Sequence, residues 1–243
     1  GDDVYANGQI VTIDQNVTCL SLRTEIESGN GIVGGGYFQC SITATVDVRG
    51  GAGIRAGTSA ALRFTGAAGT QLTVLGNVTA GVTNDTYGIN HMGTGNLVVT
   101  GNVTGGSAGS ARGIQITTTG SVSITGNVTG GSNGTAPGVF NTTGTVTITG
   151  DVFNGAGFGV HTITGPVTIY GVARPNPANP LGNHVLYQDS TTAGYIAVDA
   201  IEPDPTTRIF PLMRGRIFIR DKNTGYIRFY DTQGQLQTFI TSD

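Results

Sequence analysis

The chain has 243 residues, 41 of them Gly and none Trp, with 11% charged residues and a formal net charge of −3. Gly at this frequency excludes long helices, and the near-balanced charge argues against a basic nucleic-acid surface. No stretch reaches the ~20 apolar residues of a membrane-spanning helix, so the expected class is all-β, with neither nucleic acid nor membrane as partner.

Residues 1–19 carry Asp2, Asp3 and Asp14 around the alternating run Ile10-Val11-Thr12-Ile13, and Leu20-Ser21-Leu22 follows. Further on, a frame returns every 24 to 26 residues. Leu72-Thr73-Val74-Leu75-Gly76-Asn77-Val78-Thr79 matches Leu97-Val98-Val99-Thr100-Gly101-Asn102-Val103-Thr104. The frame recurs from Val122 to Thr129 and from Val146 to Phe153. A fixed period of this length signals a stacked solenoid, because one repeat cannot bury its apolar face alone.

Within each unit the apolar residues alternate, which places Leu72, Val74 and Val78 on one face of an extended chain. The intervening Thr and Ser suit strands and tolerate water. Gly-rich corners, such as Gly105-Gly106-Ser107, permit sharp turns. A further strand is expected at Ile89, Ile114, Val139 and Val160, each preceded by Gly. The expected fold is therefore a parallel β-helix over residues 20–190, of about seven coils. Leu72, Leu97, Val122, Val146 and Val167 form its inward column.

Extended backwards, the register aligns Val46-Asp47-Val48, 26 residues before Leu72, and Leu20-Ser21-Leu22, 26 earlier still. Residues 1–19 then become an N-terminal cap, since a solenoid end exposes strand edges. The column Asn77, Asn102, Asn127 and Asp151 reads as a ladder of side chains bonding to neighbouring turns. Asp151 ends it and Val172 breaks it.

Beyond the coils, Arg174-Pro175-Asn176-Pro177-Ala178-Asn179-Pro180 reads as a loop leaving the register. Glu202-Pro203-Asp204-Pro205 marks a linker over 191–205. Residues 206–243 then read as a small antiparallel β meander, with strands near 216–220, 226–230 and 236–240 joined by Gly-containing turns. About 35 residues cannot bury so many rings alone, so this tail needs a partner, either the last coil or other subunits. The candidate interface comprises Arg208, Phe210, Arg214, Arg216, Phe218, Arg220, Tyr226, Arg228, Phe229, Tyr230 and Phe239, because Arg and aromatics are enriched in interface cores. The Arg charges are balanced by Asp199, Glu202, Asp204, Asp221, Asp231 and Asp243.

Catalysis on a sugar bond needs convergent carboxylates. Between residues 20 and 190 the acids are Glu25, Glu27, Asp47, Asp85, Asp151 and Asp189, and no two recur one coil apart. His91 and His161 fall out of register, and neither a nucleophile elbow nor a metal-ligand spacing is present. No enzymatic activity, cofactor or metal is expected. Cys19 and Cys40 fall in different columns and read as free thiols. Three of the Asn-x-Thr sequons belong to the repeat itself and carry no separate meaning.

The opening Gly1-Asp2-Asp3-Val4-Tyr5-Ala6-Asn7-Gly8-Gln9-Ile10-Val11-Thr12-Ile13-Asp14-Gln15-Asn16-Val17-Thr18, followed by Leu20-Ser21-Leu22-Arg23, resembles the N-terminal stretch of β-solenoid structural proteins in tailed bacteriophages. The resemblance implies a non-enzymatic component of the virion surface, of the capsid-decoration or tail-fibre type. Such a protein is usually trimeric and contacts the major capsid protein or other virion proteins. The short chain favours decoration. The alternative is a tailspike-like or adhesin module that binds host surface glycans, and a groove of exposed aromatics and acids along the solenoid would favour it.

Overall fold

The computed structural model describes residues 2–5, 9–23, 36–56, 60–81, 86–107, 111–132, 137–154, 158–174, 186–188, 194–201, 213–214, 217–220, 226–230 and 236–241. Among these the secondary structure is all strand, arranged as the expected parallel β-helix. Three ladders of parallel strands run along it. The first is a nine-stranded sheet that includes Val11–Ile13, Ile89–His91, Ile114–Ile116 and Val160–Thr162. The second includes Gln71–Leu75, Asn96–Thr100 and Ser121–Thr125, and the third includes Val78–Thr79, Val103–Thr104 and Val128–Thr129.

From Val11 to Phe153 the chain makes six turns, each with three separate strands. After that the second and third strands fuse into Val167–Arg174 and then Ile196–Ile201, with a register shift between Ile169 and Val172. The repeat frame is the register. Leu97 pairs with Leu72 and Val122, and Val146 pairs with Val167. All five residues of this expected inward column are at most 1% exposed. Stacking at ~4.8 Å per turn makes each apolar side chain bury its neighbours above and below.

The corners impose a second condition. Gly76, Gly101, Gly126, Gly150 and Gly171 stack directly, and a Cβ built at any of the last four would overlap the carbonyl oxygen of the glycine one turn earlier. Next to them the Asn column is a ladder, but its rungs run from side chain to backbone. Asn77 Oδ1 accepts from the Asn102 N–H at 2.9 Å, Asn102 Oδ1 from the Asn127 N–H at 2.8 Å, and Asn127 Oδ1 from the Asp151 N–H at 2.8 Å. Val172 does not break this chain of bonds. It needs no side-chain amide to join, because its backbone N–H donates to Asp151 Oδ1 at 2.8 Å.

Several expectations shift. Val46 pairs with Val74, and Ala44 with Leu72, so the backward register is offset by two residues. The cause is the corner between Phe64 and Gln71, which holds an extra turn closed by Thr70 N–H to Ala67 O at 3.0 Å, with Gly69 at φ +86°. Ser21–Arg23 lies in the third ladder against Gly53–Arg55, whereas Val17–Thr18 faces Val46–Asp47. Leu20 sits at a bend and is 37% exposed, so its shared parity with Leu22 misled the alignment.

Residues 11–18 are therefore the first turn itself rather than a separate cap. Likewise Ile196–Ile201, inside the expected linker, is a ladder strand, because its Ile196 and Val198 alternate inward like those of any turn. The antiparallel tail forms as expected from Ile217–Arg220, Tyr226–Tyr230 and Leu236–Thr241. Its first strand also pairs in parallel with Ile196–Ile201, so the meander grows directly from the last turn. The two Pro clusters, at 175–180 and 203–205, lie outside the described residues. Cys19 and Cys40 are both buried and both free, and burial pushes both thiols up from their ordinary pKa.

Three polar side chains of the first ladder enter the core, each anchored by at least one hydrogen bond. His91, Asn141 and Thr162 stack in one inward column with Phe64 and Ile116. Each donates to a corner carbonyl three or four residues on: His91 Nε2 to Gly95 at 3.1 Å, Asn141 Nδ2 to Gly144 at 2.8 Å, and Thr162 Oγ1 to Gly165. Out of register with His91, as expected, His161 pairs with Phe140 instead.

Val99→Asp would place a charge among stacked apolar groups where Val99 is fully buried. It should cost roughly 3–5 kcal/mol, read as a lower denaturant midpoint; melting like the parent would contradict the inward column. Burial holds the His91 imidazole below its ordinary pKa of about 6.5, with the Gly95 bond opposing. A group neutral in the fold contributes stability that is complete above that ordinary value and is lost as pH falls below it. Stability should thus decline from pH 7 to pH 5, and His91→Ile should flatten that decline in parallel denaturant titrations.

Candidate aromatic groove on the last turns

In the second ladder the outward positions carry small polar or aliphatic residues through the middle turns. Thr73, Val98, Ser123 and Thr147 form one outward row, and Leu75, Thr100 and Thr125 another. The last three turns depart from this pattern. The first row continues as Thr168, Ala197 and Phe218, and beside it Tyr170, Asp199 and Arg220 come together through side-chain contacts. Ladder pairing fixes the neighbours of the first row, and Arg220, bonded to Asp199 and lying over Tyr170, gathers the second group on the same outer face.

Ala197 supplies the floor. With only a methyl group between Thr168 and Phe218, the sheet surface sinks into a groove of about 400 Å³. Tyr195 and Phe218 wall one end, with ring centroids 5.8 Å apart and planes at 86°. At the other end Arg220 lies over the Tyr170 ring, 5.4 Å from its centroid. Arg220 donates from Nε and Nη2 to a single Asp199 oxygen, at 3.0 and 2.8 Å. The Asp199 side chain is only 7% exposed and the Arg220 side chain 45%. Enclosure makes the partner of this carboxylate obligatory, and the pair in turn holds the guanidinium against the ring. Tyr170 and Tyr195 remain 43% and 39% exposed, so their rings are available from solvent.

A similar change marks the third ladder. Thr79, Thr104 and Thr129 give way to Phe153 and Arg174. Arg174 bonds Asp151 at 2.8 Å and lies 5.6 Å from the Phe153 centroid. On the first ladder, Arg112 lies 4.0 Å from the Phe140 centroid, and His161 packs edge-on to Phe140 and Phe158. Aromatic and ionic chemistry therefore replaces Thr toward the C-terminal end.

Of the residues expected at an interface, the structure brings Phe218 and Arg220 together in this groove. Arg228 pairs across from Ile219, and so lies on the opposite face of the sheet. Arg214, Tyr226, Phe229, Tyr230 and Phe239 fall on described strands, whereas Arg208, Phe210 and Arg216 lie outside the described residues. Sequence reasoning missed Tyr170, Tyr195, Ala197 and Asp199. For Tyr170 a signal existed, because it occupies the place in the frame held by Thr100 and Thr125.

Chemically, the groove offers ring faces, one carboxylate and one guanidinium. Among its described lining residues Asp199 is the sole acid, short of the carboxylate pair that glycosidic hydrolysis requires. The arrangement suits binding. Comparison with protein-family models, curated proteins and solved structures finds no match to this chain.

Because the chain has no Trp, Tyr170→Trp introduces a single reporter into the groove. Its emission should be readily quenched by acrylamide in the folded state, with stability changed by no more than about 0.5 kcal/mol. A blue-shifted, unquenched emission would place this position in the core instead.

Proposed function

We propose that the chain is a non-enzymatic structural protein of a tailed-bacteriophage particle, acting as a decoration protein on the virion surface. The observation that carries this reading is the use made of the polar side chains of the middle turns. Asn77, Asn102, Asn127 and Asp151 each accept from the backbone of the following turn. They stiffen a rod and do not converge on a reacting atom. The likeness of residues 1–23 to phage solenoid proteins supplies the particle.

Copies of the chain associate as a trimer through residues 206–243, and the same end contacts the major capsid protein or other virion proteins. Support comes from the tail strands. Among the described residues, Leu236–Thr241 pairs on one side alone, with Tyr226–Tyr230, and a strand edge of this kind pairs readily with another chain.

A second reading is favoured by the groove. Exposed Tyr170 and Tyr195 beside Asp199 and Arg220 suit a tail-fibre or adhesin module that binds host surface glycans without cleaving them.

The full-length chain should run as a trimer by multi-angle light scattering, and an antibody against it should label purified particles by electron microscopy. Incubation with bacterial surface polysaccharide should release no reducing ends. A monomer that leaves particles unlabelled would remove the decoration reading, and turnover lost in Asp151→Asn or Asp199→Asn would remove the non-enzymatic one.

A further inference from the structure

We propose that the groove over Ala197 is a carbohydrate subsite for uncharged sugars. One ring packs its C–H face on the Tyr170 and Tyr195 end walls, and its hydroxyls accept from the Arg220 guanidinium that Asp199 holds in place. The proposal rests on the glycan-binding reading and assigns it a place, a geometry and a sugar class.

Three observations converge. The first is shape. The groove crosses three turns, a span of about 10 Å at the ladder spacing, and its volume of about 400 Å³ lies within the range of small-ligand sites. A six-membered ring fits over Ala197 because the positions on either side, Thr168 and Phe218, rise above the methyl floor.

The second is the wall chemistry. Sugar rings present apolar C–H patches, and an exposed aromatic face is their natural complement. Tyr170 is fixed by Arg220 on one side, and Tyr195 by its edge-to-face contact with Phe218. Both rings are thus held before a ligand arrives, which lowers the ordering cost of binding.

The third is charge. Arg220 and Asp199 neutralise each other at 2.8 Å, and the enclosed carboxylate holds a half-exposed guanidinium whose remaining N–H groups donate to sugar hydroxyls. A phosphate or uronate would compete with Asp199 for Arg220 and meet its negative charge. A cation would meet Arg220. The ion pair therefore selects for neutral hydroxylated ligands.

The test uses the full chain on a printed array of neutral hexose and N-acetylhexosamine oligosaccharides, with uronic-acid oligosaccharides printed beside them. Wild type should bind neutral members and ignore the acidic ones. Tyr170→Ala should weaken binding at least tenfold by removing a wall. Ala197→Leu should do the same by filling the floor, and both should melt like wild type. Thr125→Ala, on the middle turns, should bind as wild type.

If wild type binds the array and both groove variants bind equally well, the subsite is wrong while the glycan-binding reading survives. If wild type binds only acidic members, the assignment of sugar class is overturned. If wild type binds nothing on the array, the subsite and the glycan-binding reading fall together, leaving decoration and a protein occupant for the groove.

Discussion

Everything in this molecule follows from stacking near-identical turns at one fixed spacing. Each turn has too little chain to enclose a core, so its apolar residues are buried only by the turns above and below. That requirement fixes Leu72, Leu97, Val122, Val146 and Val167 in one column. It also brings the corner backbones so close that Gly76, Gly101, Gly126, Gly150 and Gly171 leave no room for a side chain between them. Outward positions escape this demand. They default to Thr and Ser, which satisfy strand geometry and water together, so any departure from Thr stands out as added chemistry.

The departures gather at the two ends: Tyr5, Arg23, Arg55 and Asp47 in the N-terminal turns, and aromatic and ionic residues from Phe153 onward. Past Phe153 the separate second and third strands merge into single strands. The outer face there takes on Tyr170, Asp199 and Arg220 in place of Thr. The same end carries the change from parallel to antiparallel pairing, as Ile217–Arg220 joins the last turn to the hairpin. One strand thus serves three purposes: Ile217 and Ile219 close the core, its backbone covers the sheet edge, and Phe218 and Arg220 line the groove.

How much of this was legible depended on which face of the strand was involved. The inward columns were readable because apolar alternation and the Gly-Asn frame recur together, and the register follows with no knowledge of the loops. Misreadings arose where length varied silently. Two residues in the corner before Gln71 displaced Val46, and the shared parity of Leu20 and Leu22 concealed which ladder they belonged to. The Pro clusters suggested that the repeat had ended, although Ile196 and Val198 still alternate as a turn. The groove was hidden for a related reason. Its residues come from three turns separated by unequal stretches of chain, so their adjacency exists only once ladder pairing is known. Tyr170 alone stood in a recognisable frame position.

The Asn ladder has one further consequence, for the evolution of length. Each of its turns offers the next an identical side-chain acceptor and receives the previous one through an identical backbone donor. Turns with matching contacts on both sides are interchangeable. Duplication or loss of a whole unit in this stretch leaves every remaining junction chemically unchanged, whereas loss of a fraction of a unit breaks all three ladders at once. The rod can lengthen or shorten in whole steps while the specialised chemistry of its C-terminal turns travels intact at the tip.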